Sequence, residues 1–148
     1  MKIGESIDIC DTNGYDYIGT IDELSDSFVC VKLNEKMPSK SEPSINLTLD
    51  QAMPKGDKME FIIQKATELG IVKIVPVISK FCVSRPDEKT AKKKTERYQR
   101  IAFEAAKQSQ RGIIPVIENQ ISFDEALCQM EKSKGSMIFY EKATDSFK

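Results

Sequence analysis

The spacing of apolar residues changes near residue 45, and this change limits the possible folds more than any other feature of the sequence. After it, apolar strand-like segments alternate with amphipathic helical segments. The predicted strands are 45–49, 73–79, 114–117 and 136–140, and the predicted helices are 57–69, 88–109 and 123–132. Strands that are separated by helices usually pair in parallel. We therefore predict an α/β unit with a mostly parallel sheet over residues 45–148.

Residues 1–36 have a different pattern, in which apolar and polar residues alternate as they do in half-buried β-strands. Strands are predicted at 6–10, 15–21 and 28–33, and Asn13-Gly14 is a strong hairpin signal between the first two. Three strands cannot close a barrel, so this part is predicted to be a partial β domain. The polar segment 37–44 contains two prolines and is predicted to be a linker.

The predicted helix 57–69 has sequence signals at both ends. Asp57 and Glu60 are spaced as a capping box, and Gly70 stands where a left-handed C-terminal turn is common. An apolar stripe along this helix is predicted to face the core, and it consists of Met59, Ile62, Ile63, Ala66 and Leu69.

Two lysines flank a glycine just before and within the first turn of this helix. Folding alone does not require Lys55 and Lys58 around Gly56. The free N–H groups and the dipole of a helix N-terminus already favour an anion, so the two lysines predict a phosphate-attracting corner.

The net charge of −1 conceals an uneven distribution of charge along the chain. Residues 51–115 carry 14 basic and 7 acidic side chains, whereas residues 1–50 carry 4 basic and 10 acidic ones. A basic block of this kind favours a polyanion such as RNA or DNA. Part of it is the predicted helix 88–109, whose lysines at 92–94 fit a solvated surface equally well.

Several classes of function are excluded or disfavoured by composition. The chain has no histidine, which removes imidazole as a metal ligand or general base, and its four cysteines are widely spaced. We expect buried free thiols and no metal site. No apolar run is long enough to cross a bilayer and no signal-peptide pattern is present, so a cytoplasmic location is expected.

The segment 49–70, centred on Pro54-Lys55-Gly56-Asp57-Lys58-Met59-Glu60, resembles the signature of the RsmE family. These proteins are bacterial small-subunit ribosomal RNA uridine-N3 methyltransferases. The resemblance continues through most of the chain, at residues 76–79, 82–85, 97–102, 104–106, 108–111, 114–115 and 139–143.

This resemblance implies an N-terminal PUA-like β-barrel and a C-terminal SPOUT domain with a trefoil knot. It also implies S-adenosylmethionine as cofactor, 16S ribosomal RNA of the small subunit as partner, and a homodimer. Compared with the family pattern, the first barrel strand and the glycine-rich knot loops have no counterpart between Met1 and Lys148. We therefore expect a partial barrel, an incomplete SPOUT domain, most of the cofactor pocket beyond Lys148, and little activity of this chain alone.

The candidate site residues follow from charge and from the resemblance together. RNA contacts are predicted at Lys55, Gly56, Lys58, Arg85, Gln108, Ser109 and Arg111. For Gln108 and Ser109, a hydrogen bond to a dimer partner and capping of a helix C-terminus are the alternatives. By resemblance, Glu141 lies at the edge of the cofactor site, and no residue is identified as catalytic. A non-catalytic RNA-binding module is the competing hypothesis for the chain as a whole.

Overall fold

The first part of the chain forms an open antiparallel sheet. The computed structural model describes residues 1–82 and 87–140. Its first three strands are β1 (Ser6–Cys10), β2 (Tyr15–Leu24) and β3 (Val29–Pro38), with β2 in the centre. The three predicted strands are confirmed, and β2 and β3 extend further than expected. Within the described residues this sheet does not close into a barrel.

The second part is a parallel sheet with helical connections, as the change of period predicts. Its strands are β4 (Thr48–Ala52), β5 (Lys73–Ile78), β6 (Val116–Ile117) and β7 (Ile121–Ser122). Its helices are α1 (Lys58–Glu68), α2 (Glu88–Gln108) and α3 (Phe123–Glu131). β5 lies beside β4 on one side, and on the other it pairs first with β6 and then with β7. All of these pairings are parallel.

One core cluster joins α1 and α2 to the parallel sheet. It consists of Met59, Ile63, Ala66, Ile74, Tyr98, Ala102 and Ile117. The helical spacing of the first three places them on one face of α1, as predicted. Ile62 is only partly buried, and Leu69 is 83% exposed. The stripe therefore stops at Ala66.

The exposure of Leu69 follows from the way in which α1 ends. Leu69 is the residue that caps the helix, and Gly70 adopts a left-handed φ of 98°. The Ile71 N–H donates to the Ala66 carbonyl and the Gly70 N–H to the Thr67 carbonyl, which is a Schellman motif. The predicted role of Gly70 is confirmed, but the turn carries Leu69 away from the core stripe.

Two strand predictions were wrong. β4 begins at Thr48 rather than at residue 45, because its register is set by β5: Thr48 lies opposite Lys73. Ile45 and Leu47 are more than half exposed. Residues 136–140 form no strand. The short strand β7 was not predicted.

Hydrogen bonds hold the predicted linker to both parts of the chain. The Ser39 N–H donates to the Gly14 carbonyl (2.8 Å), and the Gly14 N–H donates to the Gly112 carbonyl (2.9 Å). The Gly112 N–H in turn donates to Ser41 Oγ (3.1 Å). These bonds connect the hairpin between β1 and β2, the 39–42 segment and the turn after α2.

No helix within the described residues is long and apolar enough to span a membrane.

Candidate nucleic-acid interface

The loop between β4 and α1 presents the predicted lysine corner at the carboxyl end of the parallel sheet. Lys55, Gly56 and Lys58 are all exposed there. Gly56 has a φ of 70°, which is a left-handed conformation that glycine adopts at little cost. The structure therefore leaves both lysines accessible beside the first turn of α1, where backbone N–H groups favour an anion.

The predicted capping box at this corner does not form. Asp57 occupies the N-cap position, but its side chain accepts no hydrogen bond from the helix. The Glu60 carboxylate instead lies 2.8 Å from Nη2 of Arg97, which belongs to α2. Arg97, which is 37 residues away in sequence, thus binds the Glu60 carboxylate that the capping-box spacing predicted would accept from the N-cap backbone. This pair holds α1 to α2, and Asp57 stays exposed.

A tight turn after β5 lies beside the lysine corner. The Cys82 N–H donates to the Ser79 carbonyl (3.2 Å), and the Ser79 N–H donates to Cys82 Sγ (3.2 Å). The Cys82 thiol also donates to the Met53 carbonyl at 3.4 Å. Cys82 therefore connects the end of β5 to the start of the loop that carries Lys55.

The structure gives Arg111 a structural role, so it does not support the prediction that Arg111 contacts RNA. Its side chain is 2% exposed and pairs with the Glu42 carboxylate. The guanidinium also donates to the carbonyls of Thr67 (3.1 Å) and Ile71 (2.5 Å), and Glu42 accepts a further bond from the Ile113 N–H (2.9 Å). Because these protein acceptors take most of its N–H groups, Arg111 is not available to phosphate.

The two residues at the end of α2 differ in their surroundings. The Ser109 hydroxyl donates to the Ala105 carbonyl at 2.8 Å, so the capping alternative describes it better than RNA contact does. Gln108 is exposed at one end of an open groove of about 630 Å³ between α1 and α2. Arg97 and Arg100 line the same groove.

The outer face of α2 is basic. Tyr98, Ala102, Ala105 and Ala106 are buried, so most of the cationic side chains lie on the side of the helix away from the core, where Glu96 and Glu104 are also exposed. Arg97 differs, because it pairs with Glu60 of α1. The exposed cations of α2 are Lys89, Lys92, Lys93, Arg97, Arg100 and Lys107. This helix was predicted from sequence within one residue, and its Asp87 cap accepts a bond from the Thr90 N–H.

Two predicted site residues, Arg85 and Glu141, lie outside the described residues. Two other residues, Glu42 and Phe81, have notable positions in the structure that no sequence pattern predicted. Glu42 was missed because its partner lies 69 residues away. Phe81 follows β5 and is 88% exposed. Phe81 lies outside any periodic apolar segment, so the sequence pattern did not predict a functional role for it.

The cysteines are free, as predicted, but only Cys82 is partly buried. Cys10, Cys30 and Cys128 are exposed, since they lie on the open antiparallel sheet and on the outer side of α3. Among the described residues, no group of three or more His, Cys, Asp or Glu side chains could hold a metal ion.

Asp50 on β4 is the one side chain in the described part of the chain with a buried polar atom that lacks a hydrogen-bond partner. Burial raises the pKa of this carboxyl, and the charge of Lys73 partly offsets the increase. The group therefore binds its proton more tightly in the folded chain than in the unfolded one.

A family model described as an RNA methyltransferase domain matches residues 40–148. Among curated relatives, the chain is 34% identical over 144 residues to the ribosomal RNA small subunit methyltransferase E of Bacillus subtilis. That match covers 97% of this chain and 56% of the relative. The chain thus spans about half the length of this relative.

Solved structures resemble the chain in fold as well as in sequence. A hypothetical protein matches with a TM-score of 0.81 and 35% identity, over 90% of this chain and 55% of the other. The ribosomal RNA small subunit methyltransferase E of Neisseria gonorrhoeae, solved bound to S-adenosyl methionine, matches with a TM-score of 0.72 and 32% identity. That match covers 88% of this chain and 54% of the other.

Proposed function

The chain belongs to the RNA methyltransferase domain family, as a member of its RsmE group, and from this premise we propose that the protein methylates N3 of a uridine in 16S ribosomal RNA. The observation that carries the proposal is the match to the family model over residues 40–148. S-adenosylmethionine, when bound, supplies the methyl group. The reaction also needs an accessible base and loss of the N3 proton.

In this proposal, the lysine corner holds the RNA backbone. Lys55 and Lys58 are exposed on either side of Gly56, at the N-terminus of α1. Two ammonium groups and the helix N–H groups there are suited to phosphate oxygens, and they position the nucleotide without reading its sequence. Gln108 and the exposed cations of α2 extend the basic surface along a second helix. Arg85 remains a proposed contact by resemblance.

We place the cofactor at the carboxyl edge of the parallel sheet. Ala52 at the end of β4 pairs with Val77 near the end of β5, and Val77 pairs with Ile121 at the start of β7. Ligands of open α/β sheets bind beside such strand ends. Glu141 is proposed at the edge of this site by resemblance.

The finer assignments of fold and assembly belong to the same proposal. Residues 1–36 are proposed to be part of a PUA-like barrel, residues 37–44 a linker, and residues 45–148 part of a SPOUT domain. A homodimer and a cytoplasmic location follow from the family and from a ribosomal substrate. The protein is proposed to act without a metal ion.

The activity is tested with small ribosomal subunits from a bacterium that lacks this modification. The subunits are incubated with methyl-labelled S-adenosylmethionine and with a protein of the relatives' full length that contains these 148 residues, and the RNA is digested to nucleosides for mass spectrometry. We expect labelled 3-methyluridine with that protein and little or none with the 148-residue chain alone. Tight binding of the subunit without any methyluridine would favour the alternative, a non-catalytic RNA-binding module.

The lysine corner is tested separately by the salt dependence of RNA binding. Replacing Lys55 and Lys58 by Ala removes two phosphate contacts, so the slope of log K against log salt should decrease by about 1.4 for single-stranded RNA. A double replacement of Lys2 and Lys32 by Ala, both exposed on the antiparallel part, is the matched control for charge. Equal slopes for the two double variants would refute the assignment.

A further inference from the structure

Phe81 combines a fixed backbone with an almost fully exposed ring. It is 88% exposed, and it lies inside the Ser79–Cys82 turn. Two bonds of 3.2 Å close that turn, from the Cys82 N–H to the Ser79 carbonyl and from the Ser79 N–H to Cys82 Sγ. A ring exposed in this way contributes little to the core, and water around it is unfavourable. Packing among residues 1–82 and 87–140 therefore does not explain its position.

The turn that carries Phe81 is tied to the loop that carries Lys55. The Cys82 thiol donates to the Met53 carbonyl (3.4 Å), and the Met53 N–H donates to the Val77 carbonyl (2.9 Å). Lys55 is two residues after Met53, and Phe81 immediately precedes Cys82. With 3.8 Å between consecutive Cα atoms, the Cα atoms of Phe81 and Lys55 are at most about 20 Å apart. A few nucleotides can bridge the two.

The charges around this ring are mostly positive. Lys80 is exposed next to Phe81, Lys55 is exposed on the neighbouring loop, and Lys58 is exposed where α1 begins. Asp57 is the acidic side chain in the described parts of these two loops. An exposed aromatic ring beside several cations is the usual arrangement for unpaired nucleic acid, in which bases stack on the ring and cations neutralise the backbone. A basic protein partner would be repelled by the same lysines.

We propose that Phe81 is a stacking platform for an unpaired base of the RNA whose backbone Lys55 and Lys58 hold. This proposal rests on the proposed function and extends it from phosphate contacts to a contact with a base. Stacking on a ring tolerates any base, because every base has a π-face. Phe81 therefore contributes affinity and positioning, while the choice of nucleotide depends on other contacts.

The test uses fluorescence anisotropy with a labelled RNA hairpin that has an unpaired loop. Replacing Phe81 by Ala should weaken binding by about 5-fold or more, which is the low end of measured losses for a stacked base. The salt slope should remain that of the unchanged protein, because no phosphate contact is lost. Phe81→Tyr should bind within about 2-fold of the unchanged protein, whereas Phe81→Leu should be as weak as Phe81→Ala. Phe28→Ala, which removes another exposed ring (51%) on the antiparallel part, is the control.

A second RNA of the same length and charge, with abasic loop nucleotides, separates stacking from other effects. The unchanged protein and Phe81→Ala should bind this RNA equally. Equal affinity of both proteins for the complete hairpin would overturn the proposal, as would full affinity of Phe81→Leu. A change in oligomeric state of Phe81→Ala by light scattering, without loss of RNA affinity, would also overturn it in favour of a protein contact. Failure of the methylation assay would instead count against the proposed function, since these binding ratios do not depend on methyl transfer.

Discussion

Replacing Arg111 by Met should destabilise the fold more than any exposed substitution in the basic part of the chain. Met keeps most of the volume of the side chain but removes the charge and the donors. The Glu42 carboxylate, 12% exposed, would lose its buried counterion. The carbonyls of Thr67 and Ile71 would lose their guanidinium donors.

The size of the effect follows from the number of bonds and from desolvation. Four guanidinium bonds at about 1.5 kcal/mol each sum to about 6 kcal/mol, and the measured loss should be smaller because bonds that share one guanidinium are not additive. Breaking a buried ion pair by removing one partner costs about 3–5 kcal/mol. With a urea m-value of about 2 kcal/mol/M, we expect the urea midpoint to fall by about 2 M.

The assay is urea unfolding followed by far-UV circular dichroism, with Arg100→Met on the exposed face of α2 as the matched control. The control should change the free energy of unfolding by less than about 0.5 kcal/mol. Adding Glu42→Gln to Arg111→Met should recover part of the loss, since Gln is neutral and its oxygen can still accept from the Ile113 N–H. A free energy of unfolding for Arg111→Met within about 0.5 kcal/mol of the unchanged chain would refute the assigned role.

Three further predictions concern single positions. Burial raises the pKa of Asp50 in the folded chain above 3.8, its value in the unfolded chain. The folded chain therefore holds this proton more tightly, and the free energy of unfolding should fall as the pH rises from the unfolded-state pKa to the folded-state pKa. Asp50→Asn should therefore raise the urea midpoint at pH 7 and have less effect at pH 3, and an equal effect at both would contradict this. Gly70→Ala should lower the free energy of unfolding by about 1–3 kcal/mol, because φ is left-handed there and an added Cβ would lie 2.9 Å from Pro43 Cγ. Gly135→Ala is the control and should be nearly neutral, because an added Cβ there would meet no atom within 4 Å. Ser122→Ala should cost about 1 kcal/mol in the same urea assay by removing the α3 cap, and no change would show that the cap is dispensable.

The features that the sequence predicted correctly depend on neighbours in the chain. The capping box of α3 needs only neighbouring residues, with Ser122 Oγ accepting from the Glu125 N–H and the Glu125 carboxylate accepting from the Ser122 N–H. The Schellman turn at Gly70 likewise needs only residues within six positions. The parallel sheet followed from the alternation of strands and helices, which is a property of connection length.

The errors arose where a distant residue competes for a side chain or a backbone. Asp57 and Glu60 have the same spacing as the α3 box, yet Arg97 takes the Glu60 carboxylate. Arg111 was assigned to RNA from its charge and from the family resemblance, whereas its ion-pair partner Glu42 lies in the distant 39–42 segment. The start of β4 depends on its register with β5. Such contacts are long-range, and a single sequence does not reveal them.

The pair of Glu42 and Arg111 also constrains how this sequence can change over generations. Losing either charge alone leaves the other buried without a counterion, which lowers the stability of the fold. Selection is therefore expected to remove each single substitution before a second one can compensate for it. The two positions should therefore remain unchanged or change together across descendants. Simultaneous replacement of both by neutral residues is the change that we expect to be tolerated.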